Sequence, residues 1–226
     1  QAMYNIIDSI FVAKYSSEAL AAVSLAFPVQ ALMISVGSGT GIGINAFLSR
    51  SLGEGRKDEA RSAALNGVFL AFLSFAAFAL FGLFASGSFF TSQTDNPVTA
   101  KFGTDYLYIV CIFSAGIMFE ITYERILQAT GNSFYSMITQ SIGAVINIIL
   151  DPILIFGLFG MPKLGISGAA IATVIGQSAA ALLALYFNIY KNKEFSISIK
   201  GFKPSLKTIA VIYSVGVPSI IMQSIT

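Results

Sequence analysis

Two aspartates stand in stretches that are otherwise apolar. In NIILDPILIF, which begins at Asn147, the carboxylate of Asp151 follows the amide of Asn147 by four residues, so on a helix the two lie one turn apart on the same face. Pro152 has no N–H, which leaves the carbonyl of Ile148 without its helical donor and adds another oxygen beside that face. A carboxylate, an amide and a freed carbonyl can hold Na⁺, and a proton on the acid can satisfy the same geometry. The plainer alternative is that Asn147 and Asp151 simply hydrogen-bond to neighbouring helices. In YNIIDSIFV the second acid, Asp8, has Asn5 three and Tyr4 four residues before it. An aspartate in the middle of a membrane helix costs ~2.5–3.5 kcal/mol on insertion scales, and such residues face a bundle interior or a watered cavity.

The elements that carry these groups follow from composition. The chain has 226 residues, 55% hydrophobic and 11% charged, with mean hydropathy +0.78, whereas soluble domains are about one quarter charged. Its charges are clumped and leave apolar runs of roughly 20 residues, the length that crosses a ~30 Å hydrocarbon core. The pattern predicts an all-α transmembrane bundle with helices over Gln1–Ala13, Ala19–Leu48, Asp58–Ala85, Pro97–Leu127, Ser133–Phe159, Ser167–Tyr190 and Ser205–Thr226. The opening QAMYNIIDSIF lacks a basic segment and does not read as a secretory signal. The single cysteine, Cys111, reads as core filler and allows no intrachain disulfide.

The 13 Lys and Arg residues give the direction of the spans. Arg50, Arg56, Lys57, Arg61, Arg125, Lys191, Lys193, Lys200, Lys203 and Lys207 follow the second, fourth and sixth spans, and the other loops hold Lys14, Lys101 and Lys163. The positive-inside rule assigns the richer set to the cytoplasm, so the first span starts there and runs outward. Charge therefore reports membrane orientation rather than a nucleic-acid surface. Asp8 lies about six residues before the end of its span and Asp151 about eight before the end of its own, roughly 9–12 Å at the helical rise. Both spans run outward, which predicts similar depth in the outer half of the membrane. Each acid also follows N-I-I and precedes a short loop and an Ala-rich span, a pattern consistent with a weak internal repeat about a pseudo-axis. Tyr15, Tyr106, Tyr108 and Tyr190 are expected as interfacial anchors in a chain without tryptophan.

Other polar groups receive a structural reading. Glu120, Glu124 and Arg125, on the fourth span, are expected to form an interfacial or self-paired cluster. Gly37, Gly39, Gly41 and Gly43 in GSGTGIG lack the spacing of a nucleotide loop and read as a helix-packing surface. Pro28 is expected to bend the second span.

The stretch NIIDSIFVAKYSSEALAAVSLAFPVQ, a glycine-rich span ending SRSLGEG, and NIILDPILIFG followed by GISGAAIATVIGQ together resemble the MATE (multidrug and toxic compound extrusion) family, in its prokaryotic DinF-like branch. The resemblance implies twelve helices in two six-helix lobes about a central cavity. It also implies export of drugs or organic cations in exchange for H⁺ or Na⁺, without a cofactor. By that resemblance residues 1–192 are the N-lobe, 193–204 a cytoplasmic linker and 205–226 the start of a C-lobe, with the rest of that lobe as an intrachain partner. Asp8, Asn147 and Asp151 match the family's cation- or proton-binding positions, where Na⁺ is the candidate metal, and Tyr106 and Thr173 resemble supporting polar positions. The implied location is a bacterial or archaeal plasma membrane, multi-pass, with the N-terminus in the cytoplasm. A lipid-linked-sugar flippase of the same superfamily is the first rival, but its cavity should be basic. An intramembrane enzyme is the second; a chain with 0 histidines rules out Ser-His chemistry, and the aspartates lack the GxGD context of an aspartyl protease.

Overall fold

The computed structural model describes residues 2–195 and 202–225, with side chains from Asp8 onward. The described chain is all-α, without strands: α1 Ala2–Tyr15, α2 Ser17–Gly53, α3 Lys57–Gln93, α4 Pro97–Ile112, α5 Ala115–Ala129, α6 Ser133–Phe156, α7 Ile166–Tyr190 and α8 Leu206–Ser224. Five helices are long and apolar enough to cross a membrane, or six when α4 and α5 are taken as one broken span. Large apolar side chains such as Phe84, Leu182 and Val145 are exposed, as expected of a surface that meets lipid.

Several predicted boundaries change. The fourth span is not one helix over Pro97–Leu127 but two, α4 and α5, separated at Phe113 and Ser114. No proline announces the break. It lies next to Gly116, whose missing side chain lets α5 begin directly against Ser178 of α7, a closeness that hydropathy does not encode. The polar segment between the second and third predicted spans is mostly helical, because α2 runs to Gly53 and α3 starts at Lys57. Its charges pair locally, Arg50 and Arg56 with Glu54, and Arg56 with Glu59, which lets a polar run remain helical. The third span extends past Ala85 to Gln93. There the hydroxyls of Ser86, Thr91 and Ser92 bond back to carbonyls three or four residues earlier, so the Ser/Thr-rich stretch stays in the helix. The fifth predicted span stops at Phe156 rather than Phe159, because Gly157 takes a left-handed conformation (φ 75°) that ends the helix. The carbonyls left open at Leu154 and Ile155 accept from Leu164 and Gly165 at 3.0 and 3.2 Å.

The chain divides into two compact units. The first comprises Gln1–Gln30, Phe75–Gly116 and Ser141–Ala179. In it α6 and α7 approach very closely: a Cβ on Gly176 would lie 2.8 Å from the carbonyl oxygen of Gly143 and 3.3 Å from the Asn147 side chain. That contact fixes Thr173, about one turn before Gly176, against the Asn147 face of α6.

The second unit comprises Ala31–Ser74, Ile117–Gln140 and Ala180–Thr226. Ile44, Leu48, Ala60, Ala63, Ala64, Leu70, Ile126 and Ile212 form a core there. The glycine run of α2 is a packing surface: Gly37 and Gly41 meet α5, and Gly39 and Gly43 meet the backbone of α8.

Candidate functional site

The residues that sequence reasoning set apart meet in the first unit. Asp8 comes from α1, Asn147 and Asp151 from α6, and Thr173 from α7. All four are buried, with Asp8 1%, Asn147 0%, Asp151 0% and Thr173 4% exposed. Asn147 is the centre: its amide nitrogen lies 3.1 Å from Asp8 Oδ1, 3.3 Å from Asp151 Oδ1 and 3.3 Å from Thr173 Oγ1. The Thr173 hydroxyl donates to Asp8 Oδ2 at 2.8 Å. Both carboxyl groups thus meet at the Asn147 amide.

Counting hydrogens exposes what the cluster lacks. An amide nitrogen carries two hydrogens and here faces three acceptors, while the one hydroxyl hydrogen of Thr173 goes to Asp8. Asn147 Oδ1 and Asp151 Oδ2 are buried without a hydrogen-bond partner among the described residues. An unpaired buried acceptor costs ~1–3 kcal/mol, and more when charged. Among the described residues the side chains that bond to the carboxylates are neutral, so two acids converge there with few hydrogens and no cationic side chain bonded to them. Chemically, such a set of groups can accommodate a small cation or one or more protons. The oxygens of Asp8, Asn147, Asp151 and Thr173 are of the hard type that suits an alkali cation.

A cavity of about 260 Å³ opens beside the cluster, lined by Asp8, Val23, Phe27, Gln30 and Tyr106 among others. Asp8 belongs to both cluster and cavity, whereas Asn147 and Asp151 are not among the lining residues. Tyr106 is not an interfacial anchor as expected: it is 1% exposed and its hydroxyl accepts from the Gln30 amide at 2.9 Å. Gln30, 5% exposed, is a polar residue of the site that sequence reasoning passed over. A lone glutamine two residues after Pro28, within an apolar span, was the available signal. The side chains of Tyr4 and Asn5 lie outside the described residues.

The acids of the expected Glu120, Glu124 and Arg125 cluster are buried, and among the described residues no ion pair within 4 Å joins them to Arg125. Glu120 and Glu124 are 2% and 4% exposed in the second unit. Arg125 donates to Gln128 at 3.0 Å and reaches Ser38 at 3.5 Å, and Glu124 accepts from Gln140. The i, i+4 spacing of the acids was visible in sequence, but the neutral donors that α6 brings against Glu124 were not.

Residues 1–153 match the family model described as MatE. The chain belongs to the MatE family. Among curated relatives, it is 30% identical over 190 residues to a FAD transporter of Shewanella oneidensis, covering 84% of this chain and 42% of that protein. It is 27% identical over 223 residues to the multidrug export protein MepA of Staphylococcus haemolyticus, covering 97% of this chain and 48% of MepA. A solved inward-facing multidrug resistance MATE transporter of the MOP superfamily superposes with TM-score 0.92 at 29% identity, over 100% of this chain and 51% of that one. The chain thus spans about half the length of the relatives it matches. Family membership together with its apolar spans makes it a multi-pass membrane protein of a transporter family.

Proposed function

We propose that the protein of which this chain forms the N-lobe is a secondary exporter that exchanges an organic cation or drug for H⁺ or Na⁺ by alternating access. In this reading residues 1–192 are the six-span lobe, 193–204 a cytoplasmic linker and 205–226 the start of the second lobe, in a bacterial or archaeal plasma membrane with the N-terminus inside. The observation that carries it is the hydrogen-poor cluster of Asp8, Asn147, Asp151 and Thr173. A coupling cation bound there neutralises the carboxylates, and Asp8 carries the change in charge to the adjoining cavity. When the cation leaves, the carboxylate attracts a positively charged solute, and when it returns the solute is released.

The driving force is adequate. Each charge moved is worth ~2.3 kcal/mol per 100 mV of membrane potential, and each pH unit a further ~1.4 kcal/mol. One or two ions therefore sustain a steep solute gradient. The FAD transporter among the relatives raises an anionic solute as the other reading. The cavity beside Asp8 is lined by an acid and neutral residues rather than by Lys or Arg, which favours the cationic solute. The same feature weighs against a pyrophosphate-binding flippase.

The test is dye efflux from vesicles containing the intact protein, with the pH gradient and the Na⁺ gradient imposed separately. Efflux of a cationic dye driven by one of these gradients is the expected result; efflux that follows neither overturns the proposal.

A further inference from the structure

The second unit contains a pair of buried acids that the exchange described above does not use. Glu120 and Glu124 are one turn apart on α5, and both are buried. Glu124 Oε2 accepts from the Gln140 amide at 2.7 Å, and its Oε1 lies 2.9 Å from the Thr139 hydroxyl. That hydroxyl also sits 2.7 Å from the carbonyl oxygen of Ser136. A hydroxyl has one hydrogen, so Thr139 can donate to Ser136 or to Glu124 but not to both. The shorter contact is to Ser136, the usual bond of a helical threonine to its preceding turn. The contact between Thr139 and Glu124 is then short of one hydrogen. Independently, Glu120 Oε2 is buried with no hydrogen-bond partner among the described residues.

Charge leads to the same number. Among the described residues, the charged side chain that acts on the pair is Arg125 on α5 itself, through Glu124. From α6 come the neutral Thr139 and Gln140, from α2 Gly37 and Gly41 against Ile121 and Arg125, and from α7 Asn188, which donates to the carbonyl of Tyr123. Two carboxylates against one guanidinium leave a single negative charge in a region where unbalanced charge is costly. One proton removes it, and on Glu124 that proton also completes the contact to Thr139.

We propose that Glu120 and Glu124 form a second proton-binding site, separate from the Asp8 cluster, that holds one exchangeable proton. With the proton on Glu124, its O–H donates to Thr139 Oγ1 while Thr139 donates to Ser136. With the proton on Glu120, Thr139 turns its hydrogen to Glu124 instead. The threonine hydroxyl therefore records which acid is protonated.

The test is infrared difference spectroscopy of the intact protein in vesicles, stepping the pH with Na⁺ present or absent, and comparing D8N/D151N with the same protein carrying E120Q or E124Q in addition. Each glutamine variant keeps the size of its side chain, and a thermal melt of each confirms folding. In D8N/D151N one carboxylic acid C=O band should remain, titrate with pH and ignore Na⁺. Adding E120Q or E124Q should remove or shift it, and T139V should shift it without abolishing it. The proposal is overturned if D8N/D151N has no such band, if the band survives in the protein with both E120Q and E124Q, or if Na⁺ removes it at constant pH. Because both acids of the first site are already neutralised in this background, the result does not depend on whether that site drives transport.

Discussion

The Thr173 hydroxyl donates a 2.8 Å hydrogen bond to the Asp8 carboxylate, although 165 residues separate them in the chain. With Asn147 it ties α1, α6 and α7 into one buried polar centre. The close approach of α6 and α7 at Gly176 sets Asn147 and Thr173 side by side. Among the described residues the centre offers two acids and few hydrogens, and the proposed function fills it with a small cation or a proton.

Neutralising either acid removes that demand. Asp8→Asn and Asp151→Asn in the intact protein are expected to lower gradient-driven dye efflux about tenfold or more, the scale of losing a charge-assisted contact worth ~1.5–3 kcal/mol. Asp8→Asn should also weaken dye binding, since Asp8 lines the cavity and Asp151 does not. Efflux from proteoliposomes and fluorescence titration of dye binding measure the two effects separately.

Thr173 is a supporting donor rather than a charged ligand. Thr173→Val leaves Asp8 Oδ2 without its hydroxyl donor and should shift the cation concentration for half-maximal efflux by about tenfold, for a loss of ~1–3 kcal/mol. Thr173→Ser keeps the hydroxyl and should stay within a few-fold of the parent. Equal behaviour of the two variants would show that the hydroxyl is idle.

The Gln30–Tyr106 bond is a wall of the cavity, and its energetics can be isolated. Tyr106→Phe leaves a buried amide without its acceptor and should lower stability by ~1–3 kcal/mol, read as a lower melting temperature. Gln30→Leu combined with Tyr106→Phe should recover part of that loss, because no unpaired polar group remains. A double variant less stable than the sum of the singles would contradict this pairing.

Gly176 tests the scaffold. Gly176→Ala places a methyl 2.8 Å from the Gly143 carbonyl oxygen, so α6 and α7 must separate. Overpacking of this kind costs ~1–3 kcal/mol. The variant should melt earlier and lose cation dependence, since separation draws Thr173 away from Asn147. Unchanged cation dependence with a lowered melting point would assign the glycine to stability alone.

Much of this architecture was legible from local chemistry. Apolar runs and clumped charges gave the helices, and the cost of placing an acid in lipid singled out Asp8 and Asp151 before any contact was known. The spacing of Asn147 and Asp151 fixed their shared face. Local pattern was silent on features set by packing between distant segments. The break at Phe113 lies in a stretch as apolar as its surroundings. Tyr106 read as an interfacial ring because its partner, Gln30, is 76 residues away in sequence. Glu124 read as part of an interfacial or self-paired cluster with Glu120 and Arg125, because nothing in the sequence brought Thr139 and Gln140 to it.

The central claim is that the Asp8 cluster gives up a small cation when solute binds. Adding a cationic dye to the intact, purified protein in weakly buffered solution, while recording pH and free Na⁺, tests this directly. Wild-type protein should release H⁺ or Na⁺ in proportion to dye bound, and D8N/D151N should release markedly less. Dye that binds with no cation released, or equal release from wild type and D8N/D151N, would contradict the account.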